Sequence, residues 1–170
     1  MSRSLLTTVL LLTLTGITVA QKSGEPYIPR DANFSVRFPE SPKETSNTAK
    51  SPLGDLKVIT ATYATTDGNI YMTSYTDFPT GTVKADTRAT LFEGVREGLK
   101  GKDGKVLTEK EIEVGKEKLS GRELELEKGK QRVRIRIILG GDRLYQVAVI
   151  GTPAFVKDGT KFLESFELTK

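Results

Sequence analysis

The chain has 170 residues, with 26 Lys+Arg against 22 Asp+Glu and no His, Cys or Trp. Without His there is no imidazole base, no Ser-His-Asp triad and no His-ligated metal. Without Cys there is no thiol nucleophile, no thiolate zinc or iron–sulfur site, and no lipidated Cys at a signal junction. A chain of this length fits one domain, able to bury roughly 68–70% of its unfolded surface without disulfide or metal staples.

Residues 1–20 read MSRSLLTTVLLLTLTGITVA. Arg3 gives a positive start, Leu5 to Ile17 is an apolar run broken only by Thr and Gly, and Thr18-Val19-Ala20 is a small-residue exit. This is the pattern of a secretory signal peptide, with cleavage expected after Ala20. The alternative is a retained anchor, which needs about 20 apolar residues to span a bilayer. The run here is shorter and diluted by threonines. The expected address is therefore exported, periplasmic or secreted, with no stable membrane span after cleavage. Losing the signal removes Arg3 alone, so the net charge of +4 falls to +3. So small a charge is no nucleic-acid footprint.

Residues 21–31, with two prolines, a glycine and charges, read as a flexible tether. A single domain is expected over 32–169. Asn33 to Phe38 alternates apolar and polar and stops at Pro39, a half-buried strand with Phe34, Val36 and Phe38 inward. Pro39 to Pro52 reads as a polar loop, or a loop enclosing one short strand. Asp55 to Tyr63 and Ile70 to Thr76 read as a hairpin, with Asp67-Gly68 as its turn signal.

Between Asp86 and Lys100 the period changes. Ala89, Phe92, Val95 and Leu99, widened by Leu91, form the stripe of an amphipathic helix. Gly94 and Gly98 lower its helix propensity, and close packing on a sheet is the expected reason for them. Gly101-Lys102-Asp103-Gly104 ends the helix. Four strands follow: Val106 to Val114, Leu119 to Glu127, Arg132 to Leu139 and Leu144 to Ile150. Thr152-Pro153 reads as a cap and first-turn proline. A short last helix is expected over Gly159 to Ser165, anchored by Phe162, Leu163 and Phe166.

The hairpin from Leu119 to Leu139 can be written out in register. With Gly129-Lys130 as a type II′ loop, Glu127 faces Arg132, Glu125 faces Arg134 and Glu123 faces Arg136. On the other face Leu126 meets Val133 and Leu124 meets Ile135. The three arginines alone resemble a phosphate-binding stripe. The three glutamates cancel that field, which favours a solvated, salt-bridged sheet face. Arg122 shares the inward face of Leu124 and Leu126, so it either sits at the sheet margin and snorkels or pairs with a carboxylate. For the next hairpin a three-residue loop, Gly140-Gly141-Asp142, sets Ile137 opposite Tyr145, Ile135 opposite Val147 and Val133 opposite Val149. It keeps Gln146 out of that core face.

Other motifs fail on spacing. Gly98 to Lys105 has five residues where a phosphate loop needs four between its glycines, and Val106 stands where Ser or Thr would bind magnesium. The Gly101-x-x-Gly104 element is similar to the KH backbone clamp, but a strand rather than a helix follows it. No G-x-S-x-G elbow, S-x-x-K or EF-hand loop occurs. Glu109, Glu111 and Glu113 read as an exposed strand face rather than a glycosidase pair. Asn33-Phe34-Ser35 is a formal glycosylation sequon lying in a strand.

NFSVRFP after the Pro-rich tether, the central helix, the long antiparallel strands and the closing FLESFEL together resemble the PsbP-like family, which includes small exported bacterial proteins of unknown function. The resemblance implies an α+β domain, an α/β/α sandwich of about six to eight mostly antiparallel strands packed by one long and one short helix. It brings no catalytic residues, and the His positions that bind metal in some members have no counterpart. The expectation is an exported, non-catalytic accessory or binding domain for an unknown protein or envelope component. No catalytic, cofactor-binding or metal residue and no cofactor is assigned. Two alternatives are a carrier holding a small apolar ligand between helix and sheet, where Gly94 and Gly98 leave room, and a His-free carboxylate hydrolase.

Overall fold

The computed structural model describes residues 24–51 and 54–169. The expected signal peptide lies outside them. After the short β1 (Phe34–Ser35), the strands β2 (Lys43–Ser51), β3 (Gly54–Ala64) and β4 (Ile70–Asp77) form a meander. Helix α1 (Arg88–Lys100) then carries the chain to the far edge of the sheet. A second meander returns through β5 (Gly104–Val114), β6 (Leu119–Lys128), β7 (Gln131–Gly140) and β8 (Arg143–Gly151). The chain closes with α2 (Pro153–Asp158), α3 (Thr160–Glu164) and β9 (Glu167–Leu168). The long strands make a 7-stranded sheet in the order β2-β3-β4-β8-β7-β6-β5, and β1 pairs separately with β9. Every pairing is antiparallel.

The expected sandwich of one long and one short helix does not form. Strand accounts for 51% of the structure and helix for 17%. The longest helix has 13 residues, and α2 and α3 have 6 and 5. The reason lies in what covers each face. One face meets α1, whose Phe92 packs with Leu124, Leu126, Val133, Ile135 and Ile137. The other is covered by α2 and α3 together with the extended segment holding Ala32, Phe34, Val36 and Phe38, which packs on Tyr145, Val147 and Val149. An extended segment does the work assigned to a helix layer.

Helix α1 starts later than Asp86, with Thr87 at its N-cap. Of the expected stripe, Phe92 is buried, Leu91, Val95 and Leu99 are half-buried, and Ala89 is exposed. Gly94 and Gly98 do not pack on the sheet: a Cβ built on either meets nothing within 4 Å. They lie on the solvent side of the helix.

Glu123 to Arg136, Glu125 to Arg134 and Glu127 to Arg132 pair as read from the sequence, and Leu126–Val133 and Leu124–Ile135 fall on the α1 face. Gly129 has φ +60°, as a type II′ turn requires at its first position. The next hairpin differs from expectation. Its loop is Gly141-Asp142 alone, between the paired Gly140 and Arg143, and Ile137 faces Gln146 rather than Tyr145. Tyr145, Val147 and Val149 are buried, but on the opposite face from Ile137, beside Arg134 and Arg136. The three-residue register assumed one buried face. With both faces covered, β8 buries both its parities, and burial no longer selects a loop length.

The region read as a polar loop carries the nine-residue edge strand β2. Its residues are exposed on both sides, so it lacks the apolar alternation by which strands are read.

Candidate functional site

Six charged side chains of β6 and β7, the three glutamates and three arginines of the ladder, pair in two sets on one face. Arg134 Nη2 donates to Glu123 Oε1 at 2.6 Å and Arg136 Nε to Glu123 Oε2 at 2.7 Å. Lys110 Nζ stands 3.2 Å from Oε1 of the same acid. Arg132 reaches Glu125 at 2.7 Å and Glu127 at 3.2 Å. The pairing thus leans along the ladder, with Arg134 crossing diagonally from Glu125 to Glu123. This face is not solvated as expected: Glu123 is 4% exposed. Burial pushes its carboxyl up, and hydrogen bonds from Arg136, Arg134 and Lys110 more than reverse that, bringing its pKa to about 2. Arg134 also donates to Thr160 Oγ1 and Arg136 to the Leu163 carbonyl. Arg134 and Arg136 thus also hold α3 to the sheet.

Of the two arrangements open to Arg122, the structure shows the carboxylate pair. Arg122 lies 2.7 Å from Glu109 and 5.3 Å from the centroid of the Phe92 ring. Glu109 also accepts from Arg96 at 2.9 Å. These groups tie α1 to β5 and β6. Beside them an open cleft of about 400 Å³ is lined by Arg88, Ala89, Phe92, Glu111, Glu113 and Arg122. Its lining mixes charged groups with apolar ones such as Phe92 and Ile112. Glu111 and Glu113 are exposed, and Glu113 faces Lys118 at 3.7 Å.

A second cleft, about 570 Å³, lies where the N-terminal segment crosses the sheet. Tyr27 pairs its backbone with Val36 and donates its hydroxyl to Glu44. Arg143 grips Asp77 through two nitrogens at 2.5 and 2.8 Å, donates to the Asp31 carbonyl at 2.6 Å and lies over the Tyr75 ring. These contacts fasten the segment to the sheet.

A third cleft, about 730 Å³, opens at one end of the sheet. Its volume falls within the range of about 300–1,000 Å³ typical of ligand pockets. Its floor is Tyr145, Phe166 and Leu119, and Leu168 closes one wall. Phe34, Tyr145 and Phe166 hold one another at ring distances of 5.2 to 5.6 Å, which fixes the floor. The rim is formed by two turns and the β1–β9 ribbon. The β5–β6 turn bends at Gly115 and Lys118, with φ of +74° and +49°. The β7–β8 turn is pinned by Asp142, whose carboxylate accepts from the Gly81 and Val83 N–H groups at 2.7 and 2.9 Å. Hydrogen bonds from the Val83 and Gly81 backbone hold that carboxyl below its usual range. A Cβ on Gly140 would come within 3.0 Å of Leu119 and 3.1 Å of Tyr145, so glycine keeps this corner open. Asn33, Lys116, Glu117 and Thr169 supply the polar edge.

Sequence reasoning found the anchors Phe162, Leu163 and Phe166 but not this cleft. Its residues come from two turns and a ribbon far apart in the chain. The only signal in the sequence is glycine at Gly115, Gly140 and Gly141, which reads as turns. Among the described residues no group of three or more acids is placed to hold a metal, and no helix is long and apolar enough to cross a membrane.

No family model matches the sequence, and no curated protein matches it. Among solved structures it is similar to a protein of unknown function, PA94 from Pseudomonas aeruginosa. The match has 14% identity and a TM-score of 0.38, and covers 82% of this chain and 90% of that one. Likeness at that level carries neither fold nor function across.

Proposed function

We propose that this chain is an exported, non-catalytic binding domain, and that its site is the cleft at the end of the sheet. The occupant is an aliphatic or aromatic side chain of an extended segment in a partner protein of the cell envelope. One observation carries the reading: buried aromatic rings and half-buried leucines line an open cleft whose rim is held rigid by backbone hydrogen bonds. Preformed apolar concavities with a few polar edge groups are the usual form of binding sites. The signal pattern of residues 1–20 supports an exported address, and the short motifs shared with PsbP-like proteins point the same way.

The test is site-specific photo-crosslinking in the native envelope. A photoreactive residue at Lys116, on the rim, is expected to give one discrete adduct. The same residue at Asp67, on a turn outside the cleft, is expected to give none. Adding Leu168→Glu, which places a charge in the wall, should remove the Lys116 adduct while leaving the melting temperature within a few degrees. Equal labelling from both positions, or an adduct indifferent to Leu168→Glu, would sink the proposal.

A further inference from the structure

The sheet has two edges, and they are built differently. Edge β5 is irregular: its register to β6 shifts between Val106 and Thr108. It also carries Lys105, Glu109, Lys110, Glu111 and Glu113, and Arg96 of α1 reaches over it to Glu109. Bulges and charges of this kind block further strand pairing. Edge β2 has no such bulge, and its charges, Lys43, Glu44 and Lys50, stand toward its two ends. Its nine residues pair with β3 without a break in register, from Lys43–Thr62 to Ser51–Gly54. Among the described residues it has a neighbouring strand on one side only. Between Thr45 and Ala49 it is uncharged.

We infer that β2 is the seat of a second copy of this chain, joined by antiparallel β2–β2 pairing about Asn47. The argument is self-complementarity. A two-fold axis relating antiparallel edge strands stands perpendicular to the sheet, so it pairs residues of like parity. Centred on Asn47, the midpoint of the strand, it uses the full length of β2. It sets Glu44 opposite Lys50 of the second copy and Lys50 opposite its Glu44. Thr45 then meets Ala49, Ser46 meets Thr48, and Lys43 meets Ser51, with no like charges opposed. Centring on Ser46 or Thr48 shortens the pairing and leaves Glu44 and Lys50 with no opposite charge across the seam. Opposite charges across strands favour a register and like charges disfavour it. The contact is one strand wide, below the roughly 1,200–2,000 Å² of stable interfaces, so the dimer forms in a concentration-dependent way. The inference is independent of the cleft, which lies between other strands.

The absence of native Cys makes the test clean. In this register Asn47 faces its own copy, with Cα atoms about 4.5–5.5 Å apart, inside the range a disulfide accepts. Thr45 faces Ala49, so two Thr45 positions stand about 13 Å apart. Under mild oxidation Asn47→Cys is expected to form a covalent dimer at least tenfold faster than Thr45→Cys, while Thr45→Cys with Ala49→Cys dimerises like Asn47→Cys. A second measurement uses the ion pairs. Glu44→Lys and Lys50→Glu should each lower self-association, and mixing the two variants should restore it as a heterodimer. Equal oxidation rates at positions 45 and 47, no dimer from Asn47→Cys, or no recovery on mixing would each overturn the inference.

Discussion

Glu123 on β6 accepts from Arg134 at 2.6 Å and from Arg136 at 2.7 Å, so one buried acid holds two bases of the neighbouring strand. Removing it would leave those bases without their shared counter-charge under α3. Breaking a buried pair on one side costs about 3–5 kcal/mol. Glu123→Gln is expected to lower stability at neutral pH by about 3 kcal/mol, toward the lower bound of that range because both arginines keep some solvent contact. Urea denaturation checks it, and a variant as stable as the parent would refute the role given to this acid.

The same acid gives a pH dependence with a definite sign. Its pKa falls from 4.5 to about 2 on folding. A lowered carboxyl stabilises the fold fully above the unfolded value, and that contribution disappears as pH falls through the folded one. At about 1.4 kcal/mol per unit the contribution is of the order of 3 kcal/mol. The stability gap between the parent and Glu123→Gln should therefore be widest above pH about 5 and close toward pH about 2. A gap independent of pH over that window would count against it.

Glycine to alanine should act with opposite signs at two places. Gly94 and Gly98 meet nothing within 4 Å, so Gly94→Ala and Gly98→Ala should each stabilise by about 0.5–1 kcal/mol through helix propensity. On Gly121 a Cβ would stand 2.8 Å from the Ile137 carbonyl oxygen and 3.0 Å from Ile112. Gly121→Ala should destabilise by about 1–3 kcal/mol because backbone across the ladder must move. Thermal melts of the three variants decide, and a stabilised Gly121→Ala would contradict the β6–β7 contact.

Thr152 caps α2, its hydroxyl accepting from the Phe155 N–H at 3.2 Å. Thr152→Ala should cost about 1 kcal/mol, with Thr152→Ser close to the parent. Hydrogen exchange at Phe155 is the local readout, and unchanged protection there would rule out the cap.

The proposed export has its own check. Protein recovered from the envelope of its host should begin at Gln21 by mass spectrometry. A chain retaining Met1 would show that the segment is not a cleaved signal.

The charge ladder was legible because a one-residue slip sets Arg against Leu, so the alternating pattern singles out that register. Thr152-Pro153 and the Phe162/Leu163/Phe166 anchors were legible for similar local reasons. The β7–β8 loop was not. Val147 and Ala148 are both fully buried, on opposite faces, and a strand apolar on both sides carries no parity to read. Strand β2 escaped notice for the reverse reason, since Thr45 and Ser46 are both exposed. The Gly94/Gly98 pair was misplaced because a glycine's neighbours cannot be inferred from the glycine. The cleft needed Leu119, Tyr145 and Phe166 brought to one end of the sheet, a long-range fact with no local signature.

The strand order has a consequence for how the chain acquires its structure. Within each meander, neighbours pair across short turns, and those contacts can close in microseconds. The join between the meanders is different: β4 meets β8, with Ile70 opposite Ile150 and Asp77 opposite Arg143. That seam joins strands separated in the chain by α1 and three strands of the second meander, and contacts so distant in sequence slow folding. Two preformed halves meeting at β4–β8 would make this seam the late event. Substitutions that weaken it, such as loss of the Thr73 hydroxyl that donates to the Gln146 carbonyl at 3.1 Å, would then act mainly on the rate of unfolding and leave the collapse of each half untouched.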